Sequence, residues 1–151
     1  ESALPADVGA AGSGEVEDWG LLGRRVAGQA TGRSSLWLRV LDDLGDDPHM
    51  QACALAYTSD DIPTNAVGST HPRIGEVRDD ATTYGEVFIG ASLDHAIWFH
   101  RPLPPDEWLL HDHRSHGLAN ARGLSVGEVF APSGVHVATV AQEILIRERT
   151  R

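Results

Sequence analysis

The chain contains no lysine: all 12 of its positive charges are arginine, set against 22 aspartate and glutamate residues for a balance of −10. General nucleic-acid and anionic-membrane surfaces need an excess of cations, so this profile argues against both partners. It also sits badly with an extended polyanionic ligand. Cysteine occurs once, at Cys53, which excludes an internal disulfide framework and a four-cysteine zinc site. No apolar run approaches the roughly 18 residues of a membrane-spanning helix. The opening Glu-Ser-Ala-Leu-Pro has no initiator Met, no basic segment and no apolar segment of the kind that directs export. The expectation is a soluble protein in a reducing, cytoplasmic setting, either processed or part of something longer.

What remains is room for one domain. The chain has 151 residues, 41% of them hydrophobic and 23% charged, a globular composition long enough to bury a real core. Residues 1–14 are small and almost without large apolar groups, and read as a flexible leader or linker; 15–151 is the folded part. Ser34–Leu41 alternates Leu36, Leu38 and Val40 against Trp37 and Arg39, which predicts a strand. Asp47 followed by Pro48 is a helix start, because a proline at the first helical position gives up no hydrogen bond. From Pro48 to about Ser59 there is no glycine, and the apolar residues Met50, Cys53, Leu55 and Tyr57 with three alanines point in nearly every direction. A helix that is apolar most of the way round is expected to be buried. Asp60 and Asp61 end it and Pro63 stops it.

Residues 62–85 read as a long connection without a clear period, and the rest of the chain reads as strands. The candidates are Glu86–His100, Trp108–His113, Arg122–Phe130 and Val135–Ile146, with Ala131-Pro132-Ser133-Gly134 as the turn between the last two. One buried helix followed by consecutive antiparallel strands predicts an α+β fold in which a curved antiparallel sheet wraps around the helix.

Three stretches then carry a resemblance: Ala56-Tyr57-Thr58-Ser59-Asp60, the run Ala91-Ser92-Leu93-Asp94-His95-Ala96-Ile97-Trp98-Phe99-His100-Arg101-Pro102, and Val140-Ala141-Gln142-Glu143. In this order and spacing, from about Val16 to Arg147, they resemble the C-terminal half of acyl-CoA thioesterase II, the TesB-like double hot-dog enzymes. The resemblance implies a hot-dog fold and hydrolysis of the acyl-CoA thioester to a free fatty acid and coenzyme A; no cofactor and no metal are expected. It implies that Asp60, Ser92 and Gln142 together hold the attacking water. It also implies a partner, since the family's chains carry two hot-dog units in tandem with the site between them. An N-terminal half or another copy of this chain would complete an oligomer. The stretch after Asp60 departs from the family, being shorter and more polar.

The chemistry suits these residue types. A carboxylate can accept a proton from water, and a hydroxyl and an amide can each donate or accept to aim that water. Gln142 stands out even alone, because a buried amide in an apolar strand needs partners. The developing oxyanion needs N–H donors, which in the family belong to the other unit's helix N-terminus. The alternative is a non-catalytic half that holds structure or ligand, with the three residues idle; a hydratase would need a His–Asp pair instead. His95 and His100, five apart, face opposite sides of a regular strand and are expected in structural hydrogen bonds. His111, His113 and His116 tempt a metal reading that no carboxylate or Cys completes. Trp98 and Trp108 read as core or interface aromatics, and Cys53 as an inert core thiol. Arg101, Arg114, Arg122, Arg147 and Arg149 are the arginines available to the coenzyme's phosphates.

Overall fold

The structure is a computed structural model that describes residues 15–18, 21–26, 31–74, 85–102 and 107–150. The leader expected over 1–14 lies outside them. The elements, in chain order, are β1 (Glu15–Asp18), β2 (Leu21–Arg25), β3 (Arg33–Val40), α1 (Pro48–Ser59), α2 (Ile62–Gly68), β4 (Phe88–Ser92), β5 (Ala96–Phe99), β6 (Leu109–Ala119), β7 (Arg122–Phe130) and β8 (His136–Glu148). The strands form one sheet in the order β1-β2-β3-β6-β7-β8-β4, with β5 following β4 along β8. Every pairing is antiparallel. This is the curled sheet around a helix expected from the sequence.

Alternation decides what the sheet's inner face carries. Val140, Gln142, Ile144 and Ile146 of β8 are buried, while the residues between them are partly exposed. Register places Ser125 opposite Gln142 and Gly127 opposite Val140, and on the next strand His113 opposite Gly127. Glycine is required at 127 because a Cβ there would be driven into the His113 ring. The turn from β7 to β8 is the predicted one, closed by Ala131 N–H to the Val135 carbonyl at 2.9 Å, with Gly134 at φ +83°.

The helix starts as read: the Asp47 carboxylate accepts the His49 N–H at 2.9 Å and Pro48 takes the first turn. Three expectations about its surroundings are corrected. First, α1 is not buried all round; of its apolar residues only Leu55 is buried, while Met50 and Tyr57 are 51% and 60% exposed and Cys53 is exposed rather than a core thiol. A single sheet covers one side of a helix, and here that side is Leu55 against Leu109, Val129, Val137 and Val140. Second, the connection after Asp61 begins as a helix. In α2, Ile62, Pro63, Ala66, Val67 and Gly68 are all buried, so the deepest helical packing follows the break instead of preceding it. Pro63 has no N–H to offer the Ser59 carbonyl, which breaks the helix into α1 and α2. Third, Glu86–His100 is not one strand. Between the Ser92–Ile144 and Ala96–Ala141 pairs, three residues of the edge strand face two of β8. This one-residue bulge reverses which side chains point inward. It is held by Leu93 N–H to the Glu143 carbonyl at 2.9 Å and by the Asp94 carboxylate on the Glu143 N–H at 2.7 Å.

Candidate active site

The break between α1 and α2 and the bulge between β4 and β5 meet over β8, and the predicted site residues meet there too. Gln142 is fully buried and its amide makes four kinds of contact. Its Nε2 donates to Ser92 Oγ at 2.6 Å, to Asp60 Oδ1 at 2.9 Å and to the Asp60 backbone carbonyl at 3.1 Å. Its Oε1 lies 2.6 Å from His95 Nδ1. Three acceptors on one side force the NH2 toward them, so the amide orientation is dictated by its surroundings. Asp60, Ser92 and Gln142 are thus brought together from three separate elements.

Each position follows from local structure. Asp60 is where the helix stops, so its carbonyl is free to meet Gln142 and its carboxylate, 53% exposed, reaches solvent. Ser92 is the last residue of β4 and faces inward opposite Ile144. His95 would face outward on a regular strand; the bulge turns it inward to Gln142, and its Nε2 lies 3.0 Å from Ser59 Oγ. His100 makes the structural bond expected of it, Nε2 to Thr139 Oγ1 at 2.9 Å. A cleft of about 430 Å³ opens beside Ser92, bordered also by Asp61, Thr64, Phe88 and Arg149. A second, of about 310 Å³, lies along the N-terminal half of α1, with Gln51, Leu55, Phe99 and Arg101.

A family profile described as "Acyl-CoA thioesterase C-terminal domain" matches residues 5–146. The chain belongs to this family. It is 33% identical over 111 residues to acyl-CoA thioesterase 2 of Haemophilus influenzae, covering 74% of this chain and 36% of that protein. It is 31% identical over 120 residues to acyl-coenzyme A thioesterase 8 of Rattus norvegicus, covering 79% and 34%. Among solved structures it resembles acyl-CoA thioesterase II TesB2 from Mycobacterium marinum, with a TM-score of 0.71 and 31% identity over 94% of this chain and 59% of that one. The chain therefore spans about a third of the length of the curated relatives it matches.

The domain carries a second group of polar residues that the sequence placed only in part. His111 and His113 share the inner face of β6, with ring centroids 6.4 Å apart and planes 9° from parallel. Neither ring nitrogen of either residue has a hydrogen-bond partner among the described residues, nor has the buried Ser125 Oγ. Burial pushes the His111 imidazole from its usual 6.5 down to about 3, helped by His113. Burial likewise lowers His113 to about 4, against the raising effect of Asp112 and with a further lowering from His95. His116 is exposed, because a register shift between Ser115 and Gly117 interrupts β6. Among the described residues no three His, Cys, Asp or Glu side chains are grouped to hold a metal. Of the arginines, Arg114 and Arg122 each lie 3.8 Å from a carboxylate, while Arg101 and Arg149 border the two clefts. Trp98 is exposed on the sheet's edge strand, and Arg24 stacks 4.1 Å over the Trp108 ring.

Sequence reasoning missed His95 as a partner of Gln142. Face parity could have flagged it only if one side of Phe88–Phe99 were polar. Ile89, Leu93 and Trp98 are apolar as well, so the shift in register leaves no mark on the pattern.

Proposed function

We propose that this chain is the C-terminal half of an acyl-CoA hydrolase in which Asp60 takes a proton from the water that attacks the thioester. The observation that carries the reading is one buried amide, Gln142, tying the Asp60 carboxylate to the Ser92 hydroxyl, which borders a cleft. Both amide hydrogens are spent on those two residues, so the part of Gln142 is to hold them. Ser92 accepts from Gln142 and keeps its own O–H to donate, and the second Asp60 carboxylate oxygen is free to accept among the described residues. A water bridging the two is aimed and activated at once. Its oxygen bonds to the carbonyl carbon, its proton passes to Asp60 and the C–S bond breaks. Coenzyme A leaves as the thiolate, recovers a proton, and the free fatty acid remains. Arg101 and Arg149 are placed at the clefts to meet the coenzyme's phosphates.

A helix of 12 residues is about 18 Å long, so the N–H groups at the start of α1 cannot reach a carbonyl held at its other end, and in this reading a second unit's helix N-terminus supplies the oxyanion donors. The partner is a second hot-dog unit, an N-terminal half or another copy, added along the β4–β5 edge. There Ile89, Leu93, Trp98 and Phe99 are exposed, and Met50 and Tyr57 are exposed on α1. Among the described residues no helix is long and apolar enough to cross a membrane. A cytoplasmic site of action, suited to a lone exposed thiol, belongs to the same proposal.

The test is release of free thiol from short-, medium- and long-chain acyl-CoAs, by the chain alone and mixed with an N-terminal hot-dog unit of a relative. Asp60→Asn is expected to lower kcat by about 10² to 10⁴. Undiminished turnover in that variant refutes the base, and no turnover in any combination refutes the hydrolase reading. Trp98→Glu with Phe99→Glu is expected to abolish pairing on a sizing column; unchanged association would place the interface elsewhere.

A further inference from the structure

We infer that His95 is a positioning residue that sets the direction of the Gln142 amide, and through it the relative placement of Asp60 and Ser92; this rests on the proposed hydrolase reading. Gln142 is fully buried and must leave Oε1 pointing away from three oxygen acceptors. That carbonyl needs a donor, and the group at 2.6 Å is His95 Nδ1. The ring therefore carries its hydrogen on Nδ1, and in the neutral imidazole Nε2 is left to accept. Ser59 Oγ lies 3.0 Å from Nε2 in the last turn of α1, and its O–H also reaches the Ala56 carbonyl at 3.1 Å. From His95 onward the chain runs one way: His95 donates to Gln142, and Gln142 to both Ser92 and Asp60. Each donor polarises the next.

Turn the Gln142 amide over and its oxygen would face the Asp60 carboxylate and carbonyl, while its NH2 would face His95. The two candidate water-holding groups would then be driven apart. The Asp60 oxygens oppose that flip from one side and His95 from the other, where no other side chain among the described residues donates to Oε1. The bulge gives the arrangement its purpose in the fold: only the extra residue between Ser92 and Ala96 lets Ser92 and His95 face inward together.

Three variants separate positioning from mere packing. In His95→Asn the side-chain NH2 falls where Nδ1 stood, and in His95→Gln it falls where Nε2 stood; His95→Ala has neither. In the active pairing, His95→Ala and His95→Gln are expected to lower kcat by about 10² with KM changed far less, because misplacement of reacting groups by about an ångström costs that much. His95→Asn is expected to recover most of the loss. A second readout does not depend on turnover: the Gln142 side-chain NH2 resonances in the 15N-labelled chain. They are expected to shift or broaden in the Ala and Gln variants and to return in the Asn variant, with the wild-type imidazole protonated on Nδ1. Equal loss of kcat in all three variants, wild-type kcat in His95→Ala, or unmoved Gln142 resonances would overturn the inference. If the wild-type chain turns over nothing in any pairing, the hydrolase reading fails, while the resonances still decide whether His95 orients Gln142.

Discussion

Acidification should unfold this domain through two side chains that take no part in the proposed chemistry. His111 and His113 are buried, neutral and held down to about 3 and about 4, with burial as the leading cause for each. In the unfolded chain both return to about 6.5 and bind protons that the folded state refuses. The native state therefore keeps its full stability above about pH 7 and loses it as pH falls through 6.5 toward the folded values. At about pH 5 each histidine costs about 2 kcal/mol, and the pair about 4, a large share of the 5–15 kcal/mol typical of a domain. Urea unfolding of the whole chain at about pH 8 and about pH 5 measures this directly, as a fall in midpoint at constant slope. Carboxylates and the exposed histidines also titrate in that range, so the decisive comparison is with His111→Leu and His113→Leu. Neither ring makes a hydrogen bond to the described residues, so leucine forfeits no partner. Each replacement should remove about half of the acid loss. A wild-type loss below about 1 kcal/mol, or leucine variants that keep the full loss, would refute the reasoning.

Two further perturbations test the packing around the site. Arg33 donates to both carboxylate oxygens of Asp112, at 2.7 and 3.1 Å, and Ser35 Oγ adds a bond of 2.6 Å, so Arg33→Ala leaves the buried carboxylate with Ser35 and, 3.8 Å away, the exposed Arg114. The expected loss is about 2 to 3 kcal/mol in urea unfolding, partly restored by adding Asp112→Asn; an equal loss in the double variant would show that the charge is not the cause. Gly127→Ala drives a methyl into the His113 ring and should cost about 1 to 3 kcal/mol, read as a lower thermal midpoint, with an unchanged midpoint counting against the tight contact.

How much of this was legible depends on how local each feature is. Asp47 and Pro48 announce α1 because a cap and a first-turn proline act within a few residues. β7 spans Arg122–Phe130, as its alternation and flanking turn predict. Gln142 was conspicuous because an amide in an apolar strand demands partners, and it found them. The sequence does not announce β1 and β2, and α2 reads as loop, since seven residues with a proline and a glycine carry too weak a helical period. The exposure of Met50, Cys53 and Tyr57 was missed for a different reason. Composition says that a helix can be buried on every side, but only the count of surrounding layers says that it is.

By itself, then, the sequence determined the elements whose physics is short-ranged, and the run of motif residues whose resemblance points to a family. Tertiary structure alone decided which side chains face one another. The face of each residue from Leu93 to Phe99 depends on how the edge strand registers against β8, a pairing some fifty residues distant in the chain. One extra residue in that register turned His95 toward Gln142, and the side-chain period of two made the change all or nothing.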